Sequence, residues 1–299
     1  MKKSITLLVF FPIALFAQYR VDYGVVLGPS NYLGDIGNGP ADRRDFIFDL
    51  QSSKTNVAAG FFIRERIASK FAVREALTFV TVSGDDKLTA SPGRRNRNLN
   101  FKNTICELAL TGEFYFFEMN DLGNSIRSRS DFRAYAFGGV AAYYSNPKGR
   151  DINGGWVALQ PLRTEGQPVA YKRVGIAIPV GVGLYFTINR NTRISWDLGW
   201  RMTFTDYLDD ISGNYPDFTA IKDTDLRKQM SNRAAEQPDP LYIPVPGSKR
   251  GDPSHNDHYL ASTVGLSHVM RGHSKFYRNR YSWPFGSRKF KKRRIRSKF

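Results

Sequence analysis

The sequence predicts an all-β fold: an up-and-down antiparallel barrel of about eight strands that spans an outer membrane. Three observations carry that prediction. The amino end reads as an export signal. Two stretches alternate apolar with small or polar residues for more than twice the length of an ordinary strand, which is about 5 or 6 residues. Short and long connections also alternate along the chain, as they do when periplasmic turns are short and extracellular loops long.

At the amino end, Lys2 and Lys3 precede an apolar run from Ile5 to Phe16, with small Ala17 before Gln18. This reads as a secretory signal peptide over residues 1–17, followed by a barrel over 18–270 and a basic tail over 271–299. The run is shorter than the roughly 20 residues a transmembrane helix needs, and Tyr19-Arg20-Val21-Asp22 follow without a stop-transfer pattern. No later apolar run is long enough to cross a bilayer as a helix, so a spanning structure has to be built from strands. Cys106 is the sole cysteine. An exported chain with one thiol has no disulfide framework, and stability must come from a closed sheet or an ordinary core. Cys106 itself reads as a small apolar wall residue rather than a nucleophile.

The strands follow in order: 20–28, 55–66, 70–81, 101–118 and 131–144, then the two long ones, then 258–270. The first long one carries Val174, Ile176, Ile178, Val180, Val182, Leu184, Phe186 and Ile188 on one face, against Gly175, Ala177, Pro179, Gly181, Gly183, Tyr185 and Thr187. The second carries Ile194, Trp196, Leu198, Trp200, Met202 and Phe204 against Arg193, Ser195, Asp197, Gly199, Arg201 and Thr203. In the fourth strand Cys106, Leu108, Leu110, Phe114 and Phe116 oppose Glu107, Thr111 and Glu113. In a membrane barrel the apolar face meets lipid and the other face fills the lumen; in a soluble barrel the two faces exchange roles. Strand length and the alternating gaps favour the membrane form. Arg64, Arg74, Glu107, Glu113, Asp197 and Arg201 are then expected to pair inside, because a charge facing lipid is too costly. With the amino end inside the cell envelope, the long loops fall outside the cell and the last strand returns to the periplasm.

The tail from Arg271 to Phe299 holds twelve of the residues behind the net charge of +17, and no Asp or Glu. Arg278, Arg280, Arg288, Lys289, Lys291, Lys292, Arg293, Arg294 and Arg296 are interleaved with Tyr281, Trp283 and Phe285. Basic and aromatic residues together suit nucleic acid, but export argues against that partner. Anionic lipid headgroups, the cell-wall polymer and acidic protein surfaces are the periplasmic alternatives. The aromatics favour a docking tail over a merely solvated one.

Two further motifs lie where outer loops begin: Ser30-Asn31-Tyr32-Leu33-Gly34-Asp35-Ile36 after the first strand, and Thr205-Asp206-Tyr207-Leu208-Asp209-Asp210-Ile211-Ser212-Gly213-Asn214-Tyr215 after the seventh. Physically they read as loop-ordering devices. Gly34, Gly37, Gly39 and Gly213 permit left-handed backbone, Asp35, Asp209 and Asp210 can accept backbone amides, and Tyr32, Tyr207 and Tyr215 can pack across the mouth with phenols toward water. A calcium site at Asp206, Asp209 and Asp210 is weaker, because the spacing lacks the regular ligand series of a calcium loop. The paired motifs resemble the DUF6089, or PorG-like, family of Bacteroidota outer-membrane barrels associated with type IX protein secretion and gliding motility. The resemblance implies a small barrel that anchors or docks the periplasmic ring of that system, built from the PorK lipoprotein and PorN. The large final loop and the basic tail depart from the family pattern.

Two other functional classes compete with a docking barrel. An outer-membrane enzyme could use the rim aspartates with one of His255, His258, His268 or His273, although no serine nucleophile motif accompanies them. A narrow pore is the other, but about eight strands leave an interior that side chains fill. The sequence suggests no catalytic residue, cofactor or resident metal.

Overall fold

The computed structural model describes residues 21–36, 51–120, 131–188, 191–217 and 225–270. The expected signal peptide, the basic tail, Gly37, Gly39 and His273 lie outside the described residues. In chain order the strands are β1 (Val21–Leu33), β2 (Asn56–Arg66), β3 (Phe71–Asp85), β4 (Asn100–Asn120), β5 (Asp131–Tyr144), β6 (Lys148–Arg150), β7 (Trp156–Ala158), β8 (Val174–Thr187), β9 (Thr192–Thr203) and β10 (His258–Met270). All ten belong to one antiparallel sheet, with β6 and β7 as a side hairpin on β4. The other eight close on themselves. β1 pairs with β10 through Tyr23 opposite His268 and Tyr32 opposite Tyr259, and β3 pairs with β4. Closure satisfies both edges of every long strand, which an open sheet in lipid could not do.

The wall has the inside-out polarity of a membrane barrel. Large apolar residues point outward all round it, among them Leu27 on β1, Phe61 on β2, Leu108 and Leu110 on β4, Val182 on β8 and Leu266 on β10. Arg64, Arg74, Glu107, Glu113, Asp197 and Arg201 point inward and are buried. The alternation seen in the sequence is therefore real, with its apolar face outside. Cys106 stands on that outward face, half-buried and unpaired, as expected.

One end of the barrel carries short turns. Ile67 and Ala68 close onto Phe71 between β2 and β3, and Ile188 closes onto Thr192 between β8 and β9. Val21 and Met270 face one another at this same end. The described parts of the long connections gather at the opposite end and fold over the mouth as a cap. It includes α1 (Pro92–Arg97) and α2 (Asp225–Ser231).

Three strands outrun their sequence signal. β1 reaches Leu33, so Ser30 to Leu33 are strand rather than loop; β3 reaches Asp85, and β4 spans Asn100 to Asn120. The ladder continues past the rim, but there the cap covers the outward face as well. Ser30 Oγ donates to the Thr81 carbonyl and Asn31 Nδ2 to the Gln51 carbonyl, while Tyr32 and Leu33 are both buried. With both faces covered, period-two alternation disappears although pairing does not. At the other end of β4 a bulge between Tyr115 and Phe117 turns Phe116 and Phe117 both outward.

Candidate functional site

Two sites hold most of the buried chemistry: the lower lumen and the seam between the mouth and its cap. In the lumen, the Arg64 guanidinium lies 2.8 Å from Glu113 and 3.2 Å from Asp22, and donates to Tyr135 Oη at 3.0 Å. Arg193 reaches the second oxygen of Asp22 at 2.9 Å. Arg74 lies 2.8 Å from Asp197 and 3.6 Å from Glu113. Higher up, Arg201 lies 3.5 Å from Glu107, which also accepts the Tyr259 hydroxyl at 2.5 Å. All six charges expected inside are thus brought together across the barrel. Asp22 and Arg193 complete the network, although nothing singled them out beyond their place on the polar face.

These pairs fill the lumen. Arg64 on β2 reaches Tyr135 on β5, and Arg74 on β3 reaches Asp197 on β9, so opposite walls meet. Tyr115, Tyr135 and Tyr185 occupy the remaining section, with ring centroids 5.6 to 6.2 Å apart. Buried carboxylates survive here because each is matched by guanidinium or phenol donors.

Above this polar half the interior turns apolar. Val80, Val82, Phe101 and Ile105 from the wall meet Leu208 and Ile211, which descend from the cap as a plug. Residues of the second motif thus enter the mouth by insertion. The Leu208 carbonyl accepts from Asn103 Nδ2 at 2.8 Å, and the Leu208 and Ile211 amides donate to Asp257 and Asp209, each at 2.9 Å. Leu208→Ala should leave a cavity under the cap, destabilising it by about 2–5 kcal/mol. A urea titration combined with protease cleavage of residues 205–217 would register this as a lower midpoint and faster cutting.

Polar side chains tie the remaining loops together. Arg97 grips Asp86 through two nitrogens at 2.8 and 2.9 Å and donates to the carbonyls of Asp35 and Arg250. Arg250 in turn lies 2.9 Å from Glu165, whose carboxylate accepts the Ser212 and Gly213 amides. Asp35 accepts the Asp252 amide at 2.8 Å. Asp210 accepts the hydroxyls of Thr164 at 2.5 Å and Tyr171 at 2.7 Å, and Tyr171 stacks on Tyr207 at 4.6 Å. Burial pushes the Asp210 carboxyl up to about 6, with Arg250 and its two hydroxyl donors opposing. Tyr215 is buried, and its carbonyl accepts the Gly247 amide.

Several details correct the sequence reading. The left-handed residue of the second motif is Asp210, with φ of 72°, rather than Gly213. Gly34 is not left-handed either; it is required by crowding, since a Cβ there would stand 1.9 Å from Tyr32 Oη. The phenol of Tyr32 points inward to Asp209 and Asp257 instead of to water. The carboxylates of Asp209 and Asp210 are occupied by hydroxyl and amide donors, which is the arrangement of a brace rather than of an open calcium loop. Of the histidines, His258 accepts the Thr203 amide, His255 sits 3.5 Å from Asp252 on the surface, and His268 packs beside Tyr23 at the short-turn end. Asp257, Glu165, Arg97 and Arg250 went unforeseen, because an isolated charge in a polar loop looks solvated until its partner is known.

Among curated proteins none matches this sequence. Similar solved structures include the attachment invasion locus protein Ail of Yersinia pestis in complex with the heparin analogue sucrose octasulfate, at 9% identity, covering 84% of this chain and 99% of that one with a TM-score of 0.37. The N-terminal β-barrel domain of Pseudomonas aeruginosa OprF also has 9% identity, covering 84% and 97% with a TM-score of 0.33. Neisserial surface protein A has 8% identity, covering 83% and 96% with a TM-score of 0.34. At such superpositions the barrel rests on the chain's own strand pairing. A family model described as a domain of unknown function, DUF6089, matches residues 2–230, which takes in the signal-like segment, seven of the eight wall strands and most of the cap. The chain belongs to the DUF6089 family.

Proposed function

We propose that the protein is a non-catalytic outer-membrane barrel that docks a periplasmic complex, of the kind that forms the PorK/PorN-like ring of a type IX protein secretion and gliding system. The observation that carries this reading is an outward apolar wall around a lumen filled by ion pairs. Such an object is suited to sit in lipid and to hold something, and poorly suited to pass solutes. The amino-terminal segment, read as an export signal, and the resemblance of the paired loop motifs to Bacteroidota outer-membrane barrels support the same envelope location. Because β10 ends at the short-turn end beside β1, the basic tail continues from the face assigned here to the periplasm, while the cap faces outward. The tail then meets a ring protein or, failing that, anionic lipid or cell wall, and no nucleic acid, cofactor or metal enters.

The test compares crosslinked membrane pull-downs of the full chain and a version ending after Met270. The tail version is expected to recover periplasmic ring proteins that the shortened version loses. Equal recovery from both would contradict a docking tail. The narrow-pore reading is separated by planar-bilayer conductance, where large steady channels would contradict the filled lumen.

A further inference from the structure

The plug is held to the rim by a contact that is short of hydrogens if all its acids are ionised. Tyr32 Oη lies 2.8 Å from Asp209 Oδ2 and still closer to Asp257 Oδ1. A phenol has one hydrogen to give. The same oxygen already accepts the Asp35 amide at 3.0 Å. The outer oxygens of the two acids are committed as well, to the Ile211 and Leu208 amides. With both acids ionised, one short contact would set lone pair against lone pair where Tyr32, Asp209 and Asp257 are only 4%, 1% and 0% exposed. A buried site does not tolerate that. One acid must therefore hold a proton and donate it to Tyr32, while Tyr32 donates to the other.

The surrounding groups favour retention of that proton. Asp35 and Asp206 add negative charge around the pair, and Tyr143 approaches from β5. Arg97 is turned to Asp86 and to the Asp35 carbonyl, while Arg250 is turned to Glu165 and Asp210. His258 uses Nδ1 to accept the Thr203 amide. Burial first, and repulsion between the carboxylates second, push Asp209 and Asp257 well above the ordinary carboxylate range.

We propose that this shared proton makes the plug a proton-sensitive closure, seated while the acid pair holds its proton and released when alkali removes it, uncovering the apolar upper lumen beneath Leu208 and Ile211. The sign follows from linkage. The seated state binds the proton more tightly than the released state, so closure is strongest at low pH and weakens as pH rises from the ordinary carboxylate range through the raised one.

Amide substitution separates this latch from a merely structural contact. In Asp257→Asn the amide nitrogen can take the place of the protonated Oδ1 and donate to Tyr32, while the amide oxygen keeps the Leu208 amide. Asp209→Asn allows the mirror arrangement with Ile211. The full chain in lipid vesicles is cut with proteinase K, and cleavage within residues 205–217 is scaled to an unfolded substrate at each pH. The wild type is expected to be cut faster at about pH 9 than at about pH 5, by about tenfold for each pKa unit by which the seated pair holds its proton above pH 5. Either amide variant should be cut slowly and keep only the smaller rise that Asp210, with its carboxyl pushed up to about 6, contributes by itself, and Tyr32→Phe should be cut fast throughout. A wild type without pH dependence, or amide variants that retain the same rise, would overturn the proposal. Should one amide variant fail to insert, the other carries the test alone.

Discussion

Arg64→Ala is expected to destabilise the folded barrel by about 3–5 kcal/mol, among the largest effects of any single change in the wall. Arg64 is 1% exposed and serves three partners on three other strands: Asp22 on β1, Glu113 on β4 and Tyr135 on β5. Its removal leaves two carboxylates with less compensation in a dry lumen. Arg193 still reaches Asp22, and Arg74 and Tyr115 still reach Glu113, which puts the loss toward the lower end of that range. The double change Arg64→Met with Glu113→Gln should recover part of the loss, because it removes a charge along with its partner. Urea unfolding from vesicles measures both. A single variant as stable as the wild type would mean that water already solvates these acids.

Leu108→Arg should be nearly as damaging, for the opposite reason. Leu108 lies near the middle of β4 and is 61% exposed on the outer face. In water, replacing such a residue with Arg would be close to neutral, since exposed positions usually tolerate polar side chains. In a bilayer the same change should cost about 2–4 kcal/mol near the midplane. Thr81→Arg, next to the rim on β3, should cost much less, because the penalty falls toward the interface. Folding yield and midpoint in vesicles of defined lipid give the comparison. Equal behaviour of the two variants would contradict a lipid-facing belt.

What could be read in the sequence was the part with a two-residue period. β8 and β9 announce themselves because one face must be apolar for lipid and the other small or charged for a narrow lumen, at every step. The same constraint betrayed the six lumen charges, since each breaks an apolar wall only if it points inward. The cap obeys no such period. Tyr32 meets Asp257 across 225 residues, and Arg97 meets the Arg250 carbonyl across 153, so no local pattern carries either contact. The second motif was recognisable as an ordering device, but its depth was not. Whether Leu208 lies on a loop surface or inside the mouth depends on wall residues such as Phe101 and Ile105, far from it in the chain. Crowding of Gly34 by the tyrosine two residues before it was equally invisible, because it depends on where Asp257 turns that ring.

The central claim is that the outward apolar face of this barrel lies in lipid. A single cysteine placed at that face reports on it directly, using Leu108→Cys in a Cys106→Ser background, with the protein held in intact membranes. A lipid-soluble maleimide is expected to label position 108 while a charged, water-soluble maleimide leaves it unmodified until the membrane is dissolved and the chain unfolded. Rapid labelling by the charged reagent in intact membranes would place that face in water and contradict the account.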